Sequence, residues 1–94
     1  MRKIEWTPLA RADLLEIIDY ISDDNPVAAQ SVKDDIETKA LKLINFPKMG
    51  RPGRVEGTRE LVALANYIIV YDEGGLAIRI LRVLHAAQQW PPHN

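Results

Sequence analysis

The chain has 94 residues and a formal net charge of −1, enough for one domain with one core and no covalent or metal staples. It contains no cysteine, which excludes disulfides, a thiol nucleophile and cysteine-ligated zinc, and the charge argues against direct nucleic-acid binding. No apolar run approaches the roughly 20 residues that cross a bilayer, and Met1–Trp6 lacks a signal-like apolar stretch, so the expectation is a soluble cytoplasmic protein without a membrane segment.

Arg2 to Trp6 reads as a short strand that stops at Thr7-Pro8. Thr7 suits a helix N-cap, and Pro8 suits the first helical position, where its missing N–H would have had no partner. Ala10, Leu14, Ile17, Ile18 and Ile21 recur at helical spacing, which predicts a first helix from Pro8 to Asp23. Asn25-Pro26 repeats the start signal. Ala29, Val32, Ile36, Ala40, Leu43 and Ile44 form the second stripe, closed by Pro47 and Gly50. Two helices joined so tightly must run antiparallel, as a hairpin.

Lys48 to Thr58 is a turn-rich stretch with Gly50, Pro52, Gly53 and Gly57 among Lys48, Arg51 and Arg54. Three strand-like runs follow, Arg59–Leu64, Tyr67–Tyr71 and Leu76–Leu84, with Gly74-Gly75 marking a hairpin. The tail from His85 opens with a possible helical turn, Ala86-Ala87-Gln88-Gln89, and runs on to Trp90-Pro91-Pro92. The order is strand, helix, helix, then a meander of three strands. That is an α+β fold, a helical hairpin packed on a small, mostly antiparallel sheet, with residues 1–94 as a single domain.

Residues 1–46 hold six basic against nine acidic side chains, net −3, whereas residues 47–94 hold six against four, net +2. The second half therefore has a basic side that suits an anionic partner. Strict alternation along the last strand places Arg79 with Leu81, Val83 and His85, and Arg82 on the opposite face with Ile78, Ile80 and Leu84. These arginines either pair with Glu60, Asp72 or Glu73, or form a cationic sheet face for a partner. Arg51, Arg54, Arg59, Arg79 and Arg82 are the candidate partner-binding cations, with Trp90 either an anchor for a partner or a plug of the core. Gly50-Arg51-Pro52-Gly53-Arg54 could be an anion nest of backbone N–H groups or simply a basic turn. It lacks the spacing of a phosphate-binding P-loop. His85 is a lone histidine without an identifiable serine, aspartate or metal-ligand companion. If it acts, it suits acid–base work on a ribose 2′-hydroxyl. His93 in the extreme tail is expected to be silent, and nothing calls for a cofactor or a metal.

Together these residues resemble one family. Trp6, Ala12-Asp13-Leu14, Tyr20-Ile21 and Asn25-Pro26 resemble the N-terminal half of RelE/ParE toxins. Gly50-Arg51, Gly53-Arg54 and Gly57-Thr58-Arg59-Glu60-Leu61 resemble their loop and following strand. Tyr67–Tyr71, Ile80–His85 and Gln89-Trp90-Pro91 resemble their last strands and tail. The resemblance covers nearly the whole chain in order. It implies the hairpin-on-sheet fold and a co-expressed antitoxin whose flexible segment wraps the toxin. It also implies one of two activities: ParE-like poisoning of DNA gyrase, or RelE-like cleavage of mRNA in the ribosome. For cleavage the candidates are His85, Arg59 and Arg82. That set lacks the C-terminal tyrosine or further basic group of RelE-like enzymes, because Ala86-Ala87-Gln88 follow His85. A net charge of −1 is also poor for docking on ribosomal RNA. Both departures favour the ParE-like expectation.

Overall fold

The computed structural model describes residues 2–88, 90 and 91. Gln89 and His93, named above, lie outside the described residues. The elements are β1 (Lys3–Trp6), α1 (Pro8–Asp24), α2 (Pro26–Lys42), β2 (Arg51–Pro52), β3 (Arg59–Ala63), β4 (Tyr67–Asp72) and β5 (Ala77–His85). Both helix starts are built as their sequences predict. Thr7 Oγ1 accepts from the Ala10 N–H at 3.2 Å and Asn25 Oδ1 from the Ala28 N–H at 3.0 Å, each with proline next. Asn25 both ends α1 and caps α2, so a single residue makes the hairpin turn.

The sheet runs β1-β5-β4-β3-β2, with β1 parallel to β5 and every other pair antiparallel. The N-terminal strand therefore lies beside the last one. Two strand features were not expected from the sequence. The glycine-rich loop contributes the two-residue β2, and β3 stops at Ala63 because Ala65 and Asn66 turn the chain at φ 61° and 64°. That left-handed turn is closed by Asn66, whose carbonyl accepts from the Ala86 N–H at 2.7 Å.

The hairpin covers one face of the sheet. Val32, Ile36 and Ala40 of α2 and Leu43 at its C-cap are buried with Ile69, Tyr71, Ile78, Ile80 and Val83. From α1 only Ala10 is fully buried, while Leu14, Ile17 and Ile21 pack part-exposed against the same cluster and Ile18 sits half-buried beside the groove between the helices. The opposite face holds a smaller cluster of Ile68, Val70 and Leu84, with Leu81 and Trp90 against it.

Alternation along β5 fails at one point. Val70 pairs with Arg82 but Tyr71 pairs with Ile80, so Leu81 is an extra residue. This bulge corrects the face assignment made from sequence. Ile78, Ile80 and Val83 all face the hairpin, and Leu81 and Leu84 both join the opposite cluster. One inserted residue reverses the parity of everything after it.

Candidate functional site

The arginines do not form an open cationic face; each one predicted has an acidic partner within the chain. Glu60 is only 2% exposed. It faces Arg51 Nη2 at 3.3 Å and Arg54 Nε at 3.6 Å, and it accepts from the Arg54 backbone N–H at 2.9 Å. The anion nest read from Gly50–Arg54 thus has an occupant already, the carboxylate of the neighbouring strand. The loop folds over its own counter-ion because a buried carboxylate must be matched by donors.

The same loop is pinned from the other side of the sheet. Tyr71 Oη accepts from the Gly50 N–H at 2.9 Å and donates to the Pro47 carbonyl at 2.8 Å. Burial pushes the Tyr71 phenol above its ordinary 10.0, with the Gly50 hydrogen bond opposing in part. Arg59 donates to the Gly50 carbonyl at 2.7 Å and lies 3.9 Å from Glu73. A Cβ on Gly50 would meet the Glu60 carbonyl and the Tyr71 ring at 2.8 Å. Gly50→Ala is therefore expected to cost about 1–3 kcal/mol of stability, the usual size of overpacking, read as a lower urea midpoint; an unchanged midpoint would mean the loop yields without strain.

Arg82 occupies the junction between hairpin, sheet and tail. Its Nε and Nη2 donate to Asp13 of α1 at 2.7 and 3.0 Å, a two-pronged pair whose side chains are 16% and 12% exposed. Those bonds raise the guanidinium further above its already high range. Its Cζ also lies 5.4 Å from the centre of the Trp90 ring, within cation–π distance. Trp90 packs on the second cluster as a plug, with its indole Nε1 buried and without a hydrogen-bond partner among the described residues.

Asp13 has a second task. β1 ends opposite Ile80, leaving the upper edge of β5 without a neighbouring strand. Thr7 Oγ1 donates to the carbonyls of Ile80 and Leu81 at 2.9 and 3.2 Å, and Asp13 Oδ2 accepts from the Val83 N–H at 3.0 Å. Two side chains at the start of α1 continue the ladder that β1 abandons. The sequence carried Asp13 only as part of Ala12-Asp13-Leu14, without a signal that it would meet Arg82.

Arg79 is half-exposed and pairs with Glu5 at 3.3 Å across β1 and β5. His85 is exposed at the end of β5, its ring edge-on to Tyr67 with centroids 5.4 Å apart. The Ala87 N–H donates to its Nδ1 at 3.1 Å. Of the three residues proposed for RNA cleavage, His85 and Arg82 line one recess and Arg59 does not. Arg59 pairs with Tyr71, whereas His85 pairs with Tyr67. Four strand residues separate those positions, roughly 13 Å.

Comparison with known proteins agrees with this architecture. A family model described as "ParE toxin of type II toxin-antitoxin system, parDE" matches residues 4–90. "Putative toxin Y4kP" of Sinorhizobium fredii is 46% identical over 91 residues, covering 96% of this chain and 94% of that protein. "Toxin RelE2" of Caulobacter vibrioides is 38% identical over 88 residues, covering 94% and 99%. A structure titled "Chromosomal ParDE TA system from P. aeruginosa" superposes with a TM-score of 0.80 at 29% identity, covering 90% of this chain and 96% of that one. The hairpin-on-sheet fold, the matched span and these relatives make this chain a toxin of a type II toxin–antitoxin system, a member of the ParE family within the RelE/ParE superfamily.

Proposed function

We propose that this toxin acts in the cytoplasm by poisoning DNA gyrase, and that an antitoxin neutralises it. The observation that supports gyrase over mRNA is the state of Arg82. RNA cleavage needs an acid, a base and a free cation to stabilise the pentavalent phosphate. Among the described residues, the cation lining the recess of His85 is Arg82, neutralised by Asp13, and Glu16 adds a further carboxylate there. Such a recess repels a phosphate.

The ParE family implies an antitoxin partner, and an apolar groove suits it. Trp6 is shared by two adjoining hollows, one with Leu14, Leu15 and Ile18 and the other with Ile4 and Leu41, along the free side of β1 and the hairpin. An amphipathic antitoxin segment would lay its apolar side chains here. Its carboxylates would reach Arg51, Arg54 and Arg79, whose side chains are 58%, 40% and 51% exposed.

The test runs purified toxin in parallel on gyrase with plasmid and on translating ribosomes with mRNA. Gyrase is expected to lose supercoiling or accumulate cleaved DNA complexes while the mRNA stays intact, and His85→Ala is expected to leave that activity unchanged. Ribosome-dependent cuts that fall by about 10²–10⁴-fold in His85→Ala, the size of an acid–base contribution, would overturn the gyrase reading.

A further inference from the structure

The segment after α2 is fixed in its backbone and open in its side chains. The Phe46 N–H donates to the Lys42 carbonyl and the Met49 N–H to the Phe46 carbonyl, each at 3.0 Å. From the sheet, the Tyr71 hydroxyl bridges the Pro47 carbonyl and the Gly50 N–H, and Arg59 donates to the Gly50 carbonyl. Yet Phe46 is 62% and Met49 42% exposed, and with Pro47 and Lys48 they line a hollow of about 620 Å³. One exposed apolar side chain is ordinary; two that enclose a hollow on a fixed loop are a surface shaped for contact. Residues 41–55 carry four cations, Lys42, Lys48, Arg51 and Arg54, and no acidic side chain. Among the described residues only the Glu60 carboxylate pairs with any of them, so three positive charges are left over. The hollow shares no lining residue with the two around Trp6, and is a separate seat.

We propose that this loop docks an acidic segment of a partner protein, one large apolar side chain of that segment entering the hollow of Phe46, Pro47 and Met49. The carboxylates flanking that anchor meet Lys48 and the cation left over beside Glu60. Met49 adapts its shape to the anchor, and the Lys48 stem adds apolar surface while its ammonium stays in water. Because the backbone is already held by Tyr71 and Arg59, docking costs little ordering of the loop. A nucleic acid suits the charge but not the hollow, since phosphates gain nothing from Phe46, Pro47 or Met49. A second copy of this chain suits the hollow but not the charge, since a two-fold contact brings the same positive surplus against itself. This surface rests on its own geometry and not on the identity of the poisoned target.

The experiment is an NMR titration of the labelled full chain with the capped peptide Asp-Glu-Leu-Trp-Glu-Asp. Its counterpart with lysine in place of every acid, and a short DNA duplex, serve as parallel probes. Saturable shifts centred on the backbone of Phe46, Lys48 and Met49 are expected with the acidic peptide and absent with the basic one. Phe46→Ala and Lys48→Glu are each expected to weaken binding by about tenfold, the loss of an anchor contact or of a charge pair. Because Phe46 and Lys48 are exposed, both variants should keep the urea midpoint of the parent chain. The inference is overturned by no saturable shift at these residues, by equal shifts with the basic peptide, or by acidic-peptide binding indifferent to Phe46→Ala. Tighter binding of the DNA duplex at the same residues would also overturn it and assign a nucleic-acid contact instead.

Discussion

Ile36→Ala is expected to lower the unfolding free energy by about 2–5 kcal/mol, read from a denaturant midpoint. Ile36 is fully buried in the cluster between hairpin and sheet, with Val32 and Ala40 of the same helix and Leu43 at its C-cap. The substitution removes three carbons from a close-packed interior, so the lost transfer free energy and the cavity add. A helix held mainly by its packed face has little else to keep it on the sheet. An unchanged midpoint would mean that the α2 stripe does not carry the core. Loss of toxicity in this variant would report instability, so its fold must be measured before any role is assigned to α2.

Asp13→Ala is expected to cost about 3–5 kcal/mol, the penalty for removing one partner of a largely buried ion pair. Both side chains are mostly shielded, and the loss strands three donors at once: Nε and Nη2 of Arg82 and the Val83 N–H. Pairing Asp13→Ala with Arg82→Met should recover part of the loss, because an apolar pair leaves no uncompensated charge. The Val83 N–H would remain without a partner, so recovery should be incomplete. A double-mutant cycle on thermal or urea unfolding measures this coupling. Additive effects would show that Asp13 and Arg82 do not depend on each other. Trp90 offers a second readout, since its ring lies beside the Arg82 guanidinium; its emission should shift in Asp13→Ala if the pair holds the tail in place.

The elements of this fold were largely legible because their signals are local. Thr7-Pro8 and Asn25-Pro26 mark helix starts through backbone chemistry alone, and the α2 stripe states which side is buried. What escaped was non-local. Strict alternation misplaced Val83 and Leu84 because a bulge depends on how β5 meets β4, which β5 alone does not reveal. The partner of Arg82 lies 69 positions away, beyond any spacing rule. Glu60 was considered as a partner for arginines, and it does take Arg51 and Arg54. That it would fill the suspected nest depended on the antiparallel pairing of β2 with β3. Of the candidate nuclease residues, chain position could not say that Arg59 stands at the opposite end of the strand pair from His85.

The pairing of the first strand with the last also bears on how the protein is made. A growing chain that has reached β4 can close the helical hairpin and join β3 to β4, but β1 has no neighbour yet. Asp13 and Thr7 likewise await the backbone of residues 80–83 and the Arg82 side chain. Such long-range closure comes late, because the entropy of joining distant segments must be met before their contacts repay it. The toxin is therefore expected to stay unassembled on the ribosome until β5 has emerged. An interrupted synthesis would release a harmless fragment, and an antitoxin segment already at hand would meet the newly completed surface first.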